Sequence, residues 1–303
     1  MIRLGGGNIF QCDADDNSRK PLLSMLDEIS EPILVPFLKW AGGKRWLTAN
    51  YTHLFPTQFN KYFEPFLGSG AAFFYLRPSE AILSDANAEL VNVYDQIRAN
   101  WKLVELALKR HSRNHDEIYY YEERGRKHRA KHEKAAQFLY LNRTCWNGLY
   151  RVNLKGKFNV PIGTKDAVLL DTDDFEEASC ALQKATLSTN DFEPILSLAK
   201  KNDFAFVDPP YVTRHNFNGF AKYNDKIFSW TDQQRLAQAI RTAALKGVQI
   251  LLTNADHPSV RKLYAGLGRQ VTLKRHSVLA ADSENRGEIT EIAILINYGA
   301  SPP

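Results

Sequence analysis

The sequence predicts an α/β protein whose mostly parallel sheet is interrupted by an inserted, mainly helical segment. Short apolar runs alternate with helix-compatible segments, and several of these runs end at turns that carry Gly or Asp. A stretch rich in Arg, Lys, His and Tyr separates two groups of such runs. With 303 residues, of which 44% are hydrophobic, the chain can bury one large core with an inserted subdomain, or two cores of ordinary domain size.

The first group of predicted elements begins at Tyr62. An apolar run to Phe66 is followed by the turn Gly68-Ser69-Gly70, a helical stretch and a second run at residues 81–83, which ends at Asp85. A long helical pattern then covers residues 88–108. This order predicts strand, turn, helix, strand and helix.

The second group of elements resumes the sheet after the basic stretch. Strand-like runs lie at residues 185–188, 204–207 and 248–252. A helix-compatible segment at 232–246 precedes the last of them, as a parallel sheet requires. Residues 270–278 and 289–297 flank a polar turn, which predicts an antiparallel hairpin at the edge of the sheet.

Composition excludes several classes of protein. The three cysteines lack metal-ligand spacing, so we expect free thiols, a reducing compartment and no metal. No apolar stretch approaches the roughly 18 residues of a membrane span, and the first 30 residues do not resemble a signal peptide. A cytoplasmic location is therefore expected. The net charge of +5 is mild for a nucleic-acid binder, so the distribution of cations matters more than their sum.

Asp208-Pro209-Pro210-Tyr211 is the strongest single motif. It directly follows the apolar run 204–207, at the strand end where α/β sheets bind ligands. A carboxylate and the carbonyl of Pro209 can each accept one N–H of a planar amine, whose lone pair is then directed at an incoming group. Tyr211 offers a ring face for a base taken out of its stack. The structural alternative is a Pro-rich turn in which Asp caps a helix.

The segment Phe63–Gly70 is a Gly-rich connection between a strand and a helix. Its glycines permit close backbone approach to a ligand and free N–H groups at the helix start, although the segment lacks GxGxxG spacing. Asp85, at the end of the next strand, can accept hydrogen bonds from ribose hydroxyls. The alternatives are a tight turn and a helix N-cap.

Two further segments are rich in cations. Phe37–Arg45 sets Trp40, which can cover an adenine or methionine moiety, beside Lys44, which can bind a carboxylate; an ordinary basic turn is the alternative. Residues 109–134 carry nine Lys or Arg but also five Asp or Glu, so phosphate contact and a solvated helix face both remain open. The loop after them contains Asn147 and Arg151, side chains suited to adenine and guanine edges.

Taken in this order, the motifs resemble the Dam-like (D12 class) DNA adenine methyltransferases of bacteria and phages. The resemblance covers about residues 36–298. It rests on Phe37–Lys44, Phe63–Gly70, Asp85, Asn142–Gly163, Asp208–Tyr211, and Arg286-Gly287 with Glu291. It implies a seven-stranded Rossmann-like methyltransferase sheet, S-adenosylmethionine as methyl donor, and double-stranded DNA as the partner of a chain that we expect to be monomeric.

The resemblance also implies roles for individual residues. The catalytic set is Asp208, Pro209, Pro210 and Tyr211. The cofactor-binding set is Trp40, Lys44, Glu64, Phe66, Gly68, Gly70, Asp85, Asp191 and Asp208. The DNA-binding set is Lys39, Asn147, Leu149, Arg151 and Pro161. The implied domains are an extension at 1–35, a catalytic domain at 36–95 and 186–303, and a target-recognition subdomain at 96–185.

The implied target is GATC or a related site that contains G-A-T, with Arg151 reading the leading guanine. The sequence departs from the closest GATC readers at Lys165, where an aromatic residue is expected, and in the extension 1–35. Two rival hypotheses are an amino-methyltransferase acting on RNA or cytosine N4 and a catalytically silent DNA-binding relative. The recognition loop argues against the first, and the intact Asp208 and Tyr211 argue against the second.

Overall fold

A computed structural model describes residues 34–153, 156–212, 228–276 and 288–299, and the structural statements below concern this part of the chain. The described residues from Leu34 onward belong to one compact unit. Nearly all of the expected extension 1–35, and the motif residues Arg286 and Gly287, lie outside the described residues.

The sheet has seven strands in the order β3-β2-β1-β4-β5-β7-β6. The strands are β1 Tyr62–Glu64, β2 Ala81–Ser84, β3 Ala185–Ser188, β4 Phe204–Val207, β5 Gln249–Ala255, β6 Arg269–His276 and β7 Glu288–Ile296. The first five pair in parallel, whereas β7 is antiparallel to both β5 and β6. The predicted α/β class, the seven strands and the antiparallel edge hairpin are confirmed.

Helices cover both faces of this sheet. They are α1 Arg45–Asn50, α2 Ala71–Leu76, α3 Ala88–Asn114, α4 Glu117–Gly125, α5 Lys131–Thr144, α6 Phe175–Gln183, α7 Phe192–Leu198, α8 Trp230–Leu245 and α9 Pro258–Leu263. The predicted helix 88–108 is longer than expected, with non-helical dihedral angles at Asn100. An N-cap starts it: Asn87 accepts the N–H groups of Glu89 and Leu90, so the cap is Asn87 and not Asp85.

Alternating side chains of the central strands enter two apolar layers. Phe204 and Phe206 belong to one layer, while Ala205 and Val207 belong to the other. All four residues of β4 are buried, which is the pattern of a parallel strand covered on both faces. The carboxyl end of β4 is therefore held rigidly from both sides.

Arg143 of α5 links this helix to the segment at Phe37, near the start of the described chain. Its guanidinium donates to both carboxylate oxygens of Asp173 at 2.7 Å and to the carbonyls of Val168 at 2.7 Å and Phe37 at 2.8 Å. Both charged side chains of this bidentate pair are buried. Because breaking a buried pair leaves an uncompensated charge, this clamp fixes α5 and the loop after it relative to the segment at Phe37.

Candidate active site and recognition surface

The carboxyl ends of four neighbouring strands carry acidic residues in a row. In the spatial order β3-β2-β1-β4, these residues are Asp191, Asp85, Glu64 and Asp208. From β1 the chain proceeds to β2 on one side, and it later fills the other side with β4, so β1 and β4 flank the point where strand order reverses. Open α/β sheets bind ligands outside this point.

Asp208 is the most highly connected side chain of this row. Its Oδ1 accepts hydrogen bonds from Lys44 Nζ at 2.8 Å and Thr253 Oγ1 at 2.6 Å. Within the described residues Oδ2 receives no hydrogen bond, and the side chain is 16% exposed. One oxygen is thus fixed by the protein while the other can still accept a donor from a ligand.

Glu291 and Tyr211 complete the surroundings of Lys44. The Tyr211 hydroxyl donates to Glu291 Oε2 at 2.5 Å, and Arg275 Nε donates to Glu291 Oε1 at 2.6 Å. Lys44 Nζ lies 3.8 Å from Glu291 Oε2 and 4.8 Å from the centroid of the Tyr211 ring. Two buried carboxylates therefore share two cations, which offsets much of the cost of burying them.

Burial and these partners act on the pKa values in opposite directions. Burial raises the pKa of the Asp208 carboxyl, whereas the charge and hydrogen bond of Lys44 lower it and the nearby Glu291 raises it. Burial raises the pKa of Glu64 well above its ordinary range, against the hydrogen bond that the Tyr62 hydroxyl donates at 2.9 Å. Lys44, and to a lesser extent the hydrogen bond from Thr253, therefore favour an ionised Asp208.

At the Gly-rich turn, the close approach is to a protein side chain. A Cβ on Gly68, whose φ is +47°, would lie 2.9 Å from Trp40 Cδ1. The N–H of Gly68 donates to Asp85 Oδ2 at 3.1 Å, and that of Gly70 donates to the Leu67 carbonyl at 2.7 Å. These two N–H groups, which we expected to be free for a ligand, are used within the protein. Gly68 is required because the Trp40 ring packs directly against it.

Phe66 packs against the second apolar layer, whereas Trp40 packs against the first, and Asp191 begins the helix α7 that contributes to this second layer. Asp191 caps α7 by accepting the N–H of Glu193 at 2.9 Å, and it pairs with Arg235 at 3.1 Å. The Phe66 ring stacks on Phe192 with centroids 5.5 Å apart. Phe66 is only partly buried, so an apolar ring surface and a partly exposed carboxylate occur together here.

Asn142 joins the basic N-terminal motif to the recognition loop. Its amide accepts the N–H of Lys39 at 3.1 Å and donates to the carbonyls of Lys39 at 2.8 Å and Gly148 at 3.2 Å. A Cβ on Gly148, whose φ is +65°, would lie 3.0 Å from Lys39 Cδ. The structure thus brings Lys39, predicted to contact DNA, against the loop that carries the other predicted DNA contacts.

Burial, together with the neighbouring Lys165 and Arg45, lowers the pKa of Lys39 to about 8. Lys165 is the position at which the sequence departs from GATC readers. Three cations near one another repel, so this part of the surface favours a negatively charged ligand.

Among the predicted DNA contacts, Asn147, Arg151 and Pro161 are exposed and Leu149 is half-buried. Arg151 donates from Nε to Asn159 Oδ1 at 3.0 Å across an antiparallel pairing of Val152 with Phe158. The Pro161 carbonyl accepts the N–H of Trp146 at 3.0 Å, which holds the two parts of the loop side by side. The residues therefore lie on one connected surface.

The basic stretch 109–134 is partly paired within itself. Arg110 binds Glu133, and the buried Glu123 binds His128 at 2.5 Å and Arg126 at 3.1 Å. These pairs agree with the hypothesis of a solvated and internally paired helix face for part of the stretch. Lys127, Arg129 and Lys131 are exposed, so the phosphate hypothesis survives for these three residues.

Three residues of the site were absent from the sequence-derived sets. Thr253 binds Asp208 from β5, Glu291 binds Tyr211 from β7, and Trp146, in the short helical turn after α5, is 52% exposed. Glu291 belonged to the late motif but had no role assigned. An aromatic residue beside Asn147 is a usable sequence signal, because exposed aromatic rings stack on bases.

The described residues contain no helix long and apolar enough to span a membrane. Nor do they contain a group of three or more His, Cys, Asp or Glu side chains placed to hold a metal ion.

The sheet order and the acidic row are those of a Rossmann-like methyltransferase. A family model described as D12 class N6 adenine-specific DNA methyltransferase matches residues 40–278. The chain belongs to this family, and it is an adenine-specific DNA methyltransferase, for which the family implies S-adenosylmethionine as methyl donor and DNA as substrate.

Three relatives illustrate the similarity. A type II methyltransferase of Lactococcus lactis subsp. cremoris is 38% identical over 277 residues, 88% of this chain and 96% of the relative. A type II methyltransferase of Methanocaldococcus jannaschii is 31% identical, covering 87% of this chain and 99% of the relative. A DNA adenine methylase of Haemophilus influenzae is 31% identical, covering 86% and 92%.

Proposed function

We propose that this chain methylates adenine N6 in duplex GATC, or in a related site containing G-A-T, with Asp208, Pro209, Pro210 and Tyr211 as catalytic residues. The observation that carries the proposal is the asymmetry of the Asp208 carboxylate: Lys44 and Thr253 hold Oδ1, while Oδ2 remains available within the described residues. That arrangement is suited to a single donor on a planar substrate.

The proposed chemistry answers a specific difficulty. The exocyclic nitrogen of adenine is a weak nucleophile because its lone pair is delocalised into the ring. Asp208 Oδ2 accepts one N–H and the Pro209 carbonyl accepts the other, so the lone pair points out of the ring plane. Because Oδ1 is already bonded, the carboxylate needs little rearrangement when positive charge develops on the nitrogen.

Tyr211 supplies a stacking surface for the adenine once it is extruded from the duplex. Its hydroxyl is bonded to Glu291, which fixes the plane of the ring before substrate arrives. Pro210 stiffens the turn between the acceptor and the ring, since its φ angle is restricted.

The residues at the sheet edge fit S-adenosylmethionine by their chemistry. Asp85 accepts one backbone N–H on each oxygen, and each oxygen keeps a lone pair for a ribose hydroxyl. Trp40 and Phe66 offer partly exposed rings, and Asp191 offers a partly exposed carboxylate for the adenine end. Glu64, Gly68 and Gly70 shape the pocket between them. Lys44, also proposed as a cofactor contact, is buried, and its Nζ already donates to the Gly42 carbonyl at 2.6 Å and to Asp208 at 2.8 Å.

When bound, this cofactor supplies a methyl group on a positively charged sulfur, which is already a good leaving group. The protein therefore contributes mainly by positioning and by electrostatic stabilisation. Glu64 and Asp208 would line the site beside the methyl donor, and Asp208, whose ionised form the charge of Lys44 favours, would stabilise positive charge there.

For DNA, we propose that residues 96–185 form the target-recognition subdomain and that residues 36–95 and 186–303 form the catalytic domain. Arg151 reads the leading guanine, where a bidentate guanidinium matches O6 and N7. Asn147, Leu149 and Pro161 meet neighbouring bases, and Lys39 approaches the same site. Relatives named DNA adenine methylase support this assignment.

The test combines activity with mapping. Purified protein is incubated with labelled S-adenosylmethionine and a plasmid that lacks adenine methylation, with RNA and unmethylated cytosine substrates in parallel. We expect label on adenine N6, at GATC or at a site containing G-A-T. Methylation of adenines without a G-A-T context would overturn the recognition assignment, and label on RNA or cytosine alone would overturn the substrate assignment.

A further inference from the structure

Tyr150 lies between the proposed cofactor pocket and the part of the recognition loop in which Val152 pairs with Phe158, here called the recognition hairpin. Its ring stacks on Trp40, with centroids 5.6 Å apart and planes 27° apart, and on Phe138 at 4.9 Å and 26°. Trp40 and Phe138 are themselves stacked at 6.2 Å and 19°. The three rings form one near-parallel cluster that joins the segment before α1 to α5 and to the recognition loop.

The hydroxyl of Tyr150 also contacts the start of α3, which follows Asp85 in the chain. It donates to Glu89 Oε2 at 2.6 Å. Glu89 lies in the first turn of α3, where its N–H donates to Asn87 Oδ1 at 3.0 Å, and the N–H of Asn87 donates to Asp85 Oδ1 at 2.9 Å. Tyr150 therefore contacts Trp40 directly, and it is connected to Asp85 by three successive hydrogen bonds by way of Glu89 and Asn87.

On its other side, Tyr150 is covalently joined to Arg151. The Arg151 guanidinium is oriented by Asn159, and the Tyr150 ring packs on Phe158 of the opposite limb of the hairpin, with centroids 5.8 Å apart. Tyr150 therefore packs on the limb whose Asn159 holds the side chain proposed to read guanine. Side chains in stacked clusters shift between discrete arrangements and not continuously, because they are closely packed.

We infer that Tyr150 is a positioning residue that couples cofactor binding to base recognition. A cofactor that rests against Trp40 and bonds to Asp85 favours the arrangement in which Tyr150 holds the hairpin for guanine. By thermodynamic linkage, cognate DNA then raises the affinity for the cofactor by the same factor. This inference rests on the proposed roles of Trp40, Asp85 and Arg151.

The experiment measures that factor with a non-reactive cofactor product. The affinity of the full chain for a GATC duplex is measured with and without saturating S-adenosylhomocysteine, and the affinity for S-adenosylhomocysteine is measured with and without the duplex. We expect the wild type to show a coupling factor of about 5 to 150, equal in both directions.

Two variants break the link without removing the rings. Tyr150→Phe keeps the stack but loses the hydrogen bond, and Glu89→Gln weakens the same bond from the other side. We expect each to reduce the coupling factor at least threefold while each binary affinity changes less than twofold. The double variant should lose no more than either single variant. Tyr121→Phe, at an exposed tyrosine of α4, is the matched control and should keep the full factor.

A merely structural role for Tyr150 would lower both binary affinities and leave their coupling unchanged, so that result overturns the inference. A wild-type coupling factor of one also overturns it. Failure of the proposed function has a different signature: Trp40→Ala would leave cofactor affinity unchanged, and Arg151→Ala would leave the preference for the leading guanine unchanged.

Discussion

The proposed catalytic edge of the sheet and the proposed recognition loop place similar side chains in opposite surroundings. At the catalytic edge, Lys44 and Glu291 are buried and bonded to other protein groups. In the recognition loop, Arg151 and Asn147 are exposed, and the guanidinium is held by a single neighbour, Asn159. A group that stabilises developing charge acts best when it is desolvated and already oriented. A group that reads a base edge must remain free to exchange water for DNA.

The same contrast extends to mutation. Removing a buried member of the catalytic cluster leaves another charge unpaired, so its effect should be large and should fall on turnover at all sequences. Removing an exposed reader should leave the protein intact and change which sequences are chosen. The following experiments sharpen this comparison in order of expected effect.

The largest effect is expected for Asp208→Ala. Loss of the acceptor for the target amine should lower turnover by about 10²–10³-fold at every sequence, the scale found when one preorganised hydrogen-bonding group is deleted from an active site. Single-turnover methylation of a saturated complex measures it. Thr253→Val, which removes one bond to the same carboxylate, should cost less, about tenfold. Near-normal turnover in Asp208→Ala would show that the amine acceptor lies elsewhere.

Arg151→Ala should alter the sequence preference of methylation more than its rate at sites that lack the leading guanine. A bidentate guanidinium is worth roughly 1–3 kcal/mol of discrimination, about ten- to a hundredfold between bases. Methylation of GATC should fall by that factor, while methylation of sites with the leading guanine replaced should hardly change. Genome-wide mapping of methylated adenines with wild type and variant measures how far the methylation of these two kinds of site becomes similar. Arg113→Ala, on α3, is the control. An equal loss at every sequence would make Arg151 a phosphate contact or a structural residue.

Replacing Lys127, Arg129 and Lys131 together with Ala should weaken binding to all DNA alike, because phosphates carry no sequence. If each cation neutralises one phosphate, the slope of log affinity against log salt should decrease by about 3. DNA-binding titrations between low and moderate salt measure this slope. Arg110 is not replaced, because it is paired with Glu133 within the protein. An unaltered slope would identify the stretch as a solvated helix face.

The smallest effect is expected from pH. Burial and the neighbouring cations lower the pKa of Lys39 to about 8, so the ammonium is mostly charged at pH 7 and mostly neutral at pH 9. DNA affinity should therefore decrease as pH rises through 8, by about 1 kcal/mol or roughly fivefold for one partly exposed contact. Lys39→Arg should abolish the decrease, because a guanidinium stays charged throughout this range. A wild-type affinity that is constant between pH 7 and pH 9 would contradict this role.

The residues of the proposed catalytic edge could be located from the sequence because their signals are local. Asp208 follows an apolar run, Asp85 follows another, and a sheet aligns strand ends wherever strands pair in parallel. The recognition loop could be located for the same reason, since Asn147 and Arg151 occur within one short segment. What could not be predicted is which groups these residues bind.

Gly68 shows how tertiary contacts change the meaning of a local motif. Its sequence context indicated close approach to a ligand, yet the structure places the Trp40 ring against it, 28 positions earlier in the chain. The basic stretch shows the same limit, because the pairing of Arg110 with Glu133 depends on how α3 packs on α5.

The sequence by itself determined the alternation of strands and helices, the acidic residues at strand ends and the composition of the recognition loop, because periodicity and turn chemistry act over a few residues. Only the tertiary structure decided that Thr253 and Glu291 meet Asp208 and Tyr211, and that Tyr150 meets Trp40 and Glu89. These contacts depend on the order of the strands in the sheet and on how the helices between β2 and β3 pack. Neither strand order nor helix packing can be read from a short stretch of sequence, because both depend on how the apolar faces of entire helices and of the sheet are buried against one another.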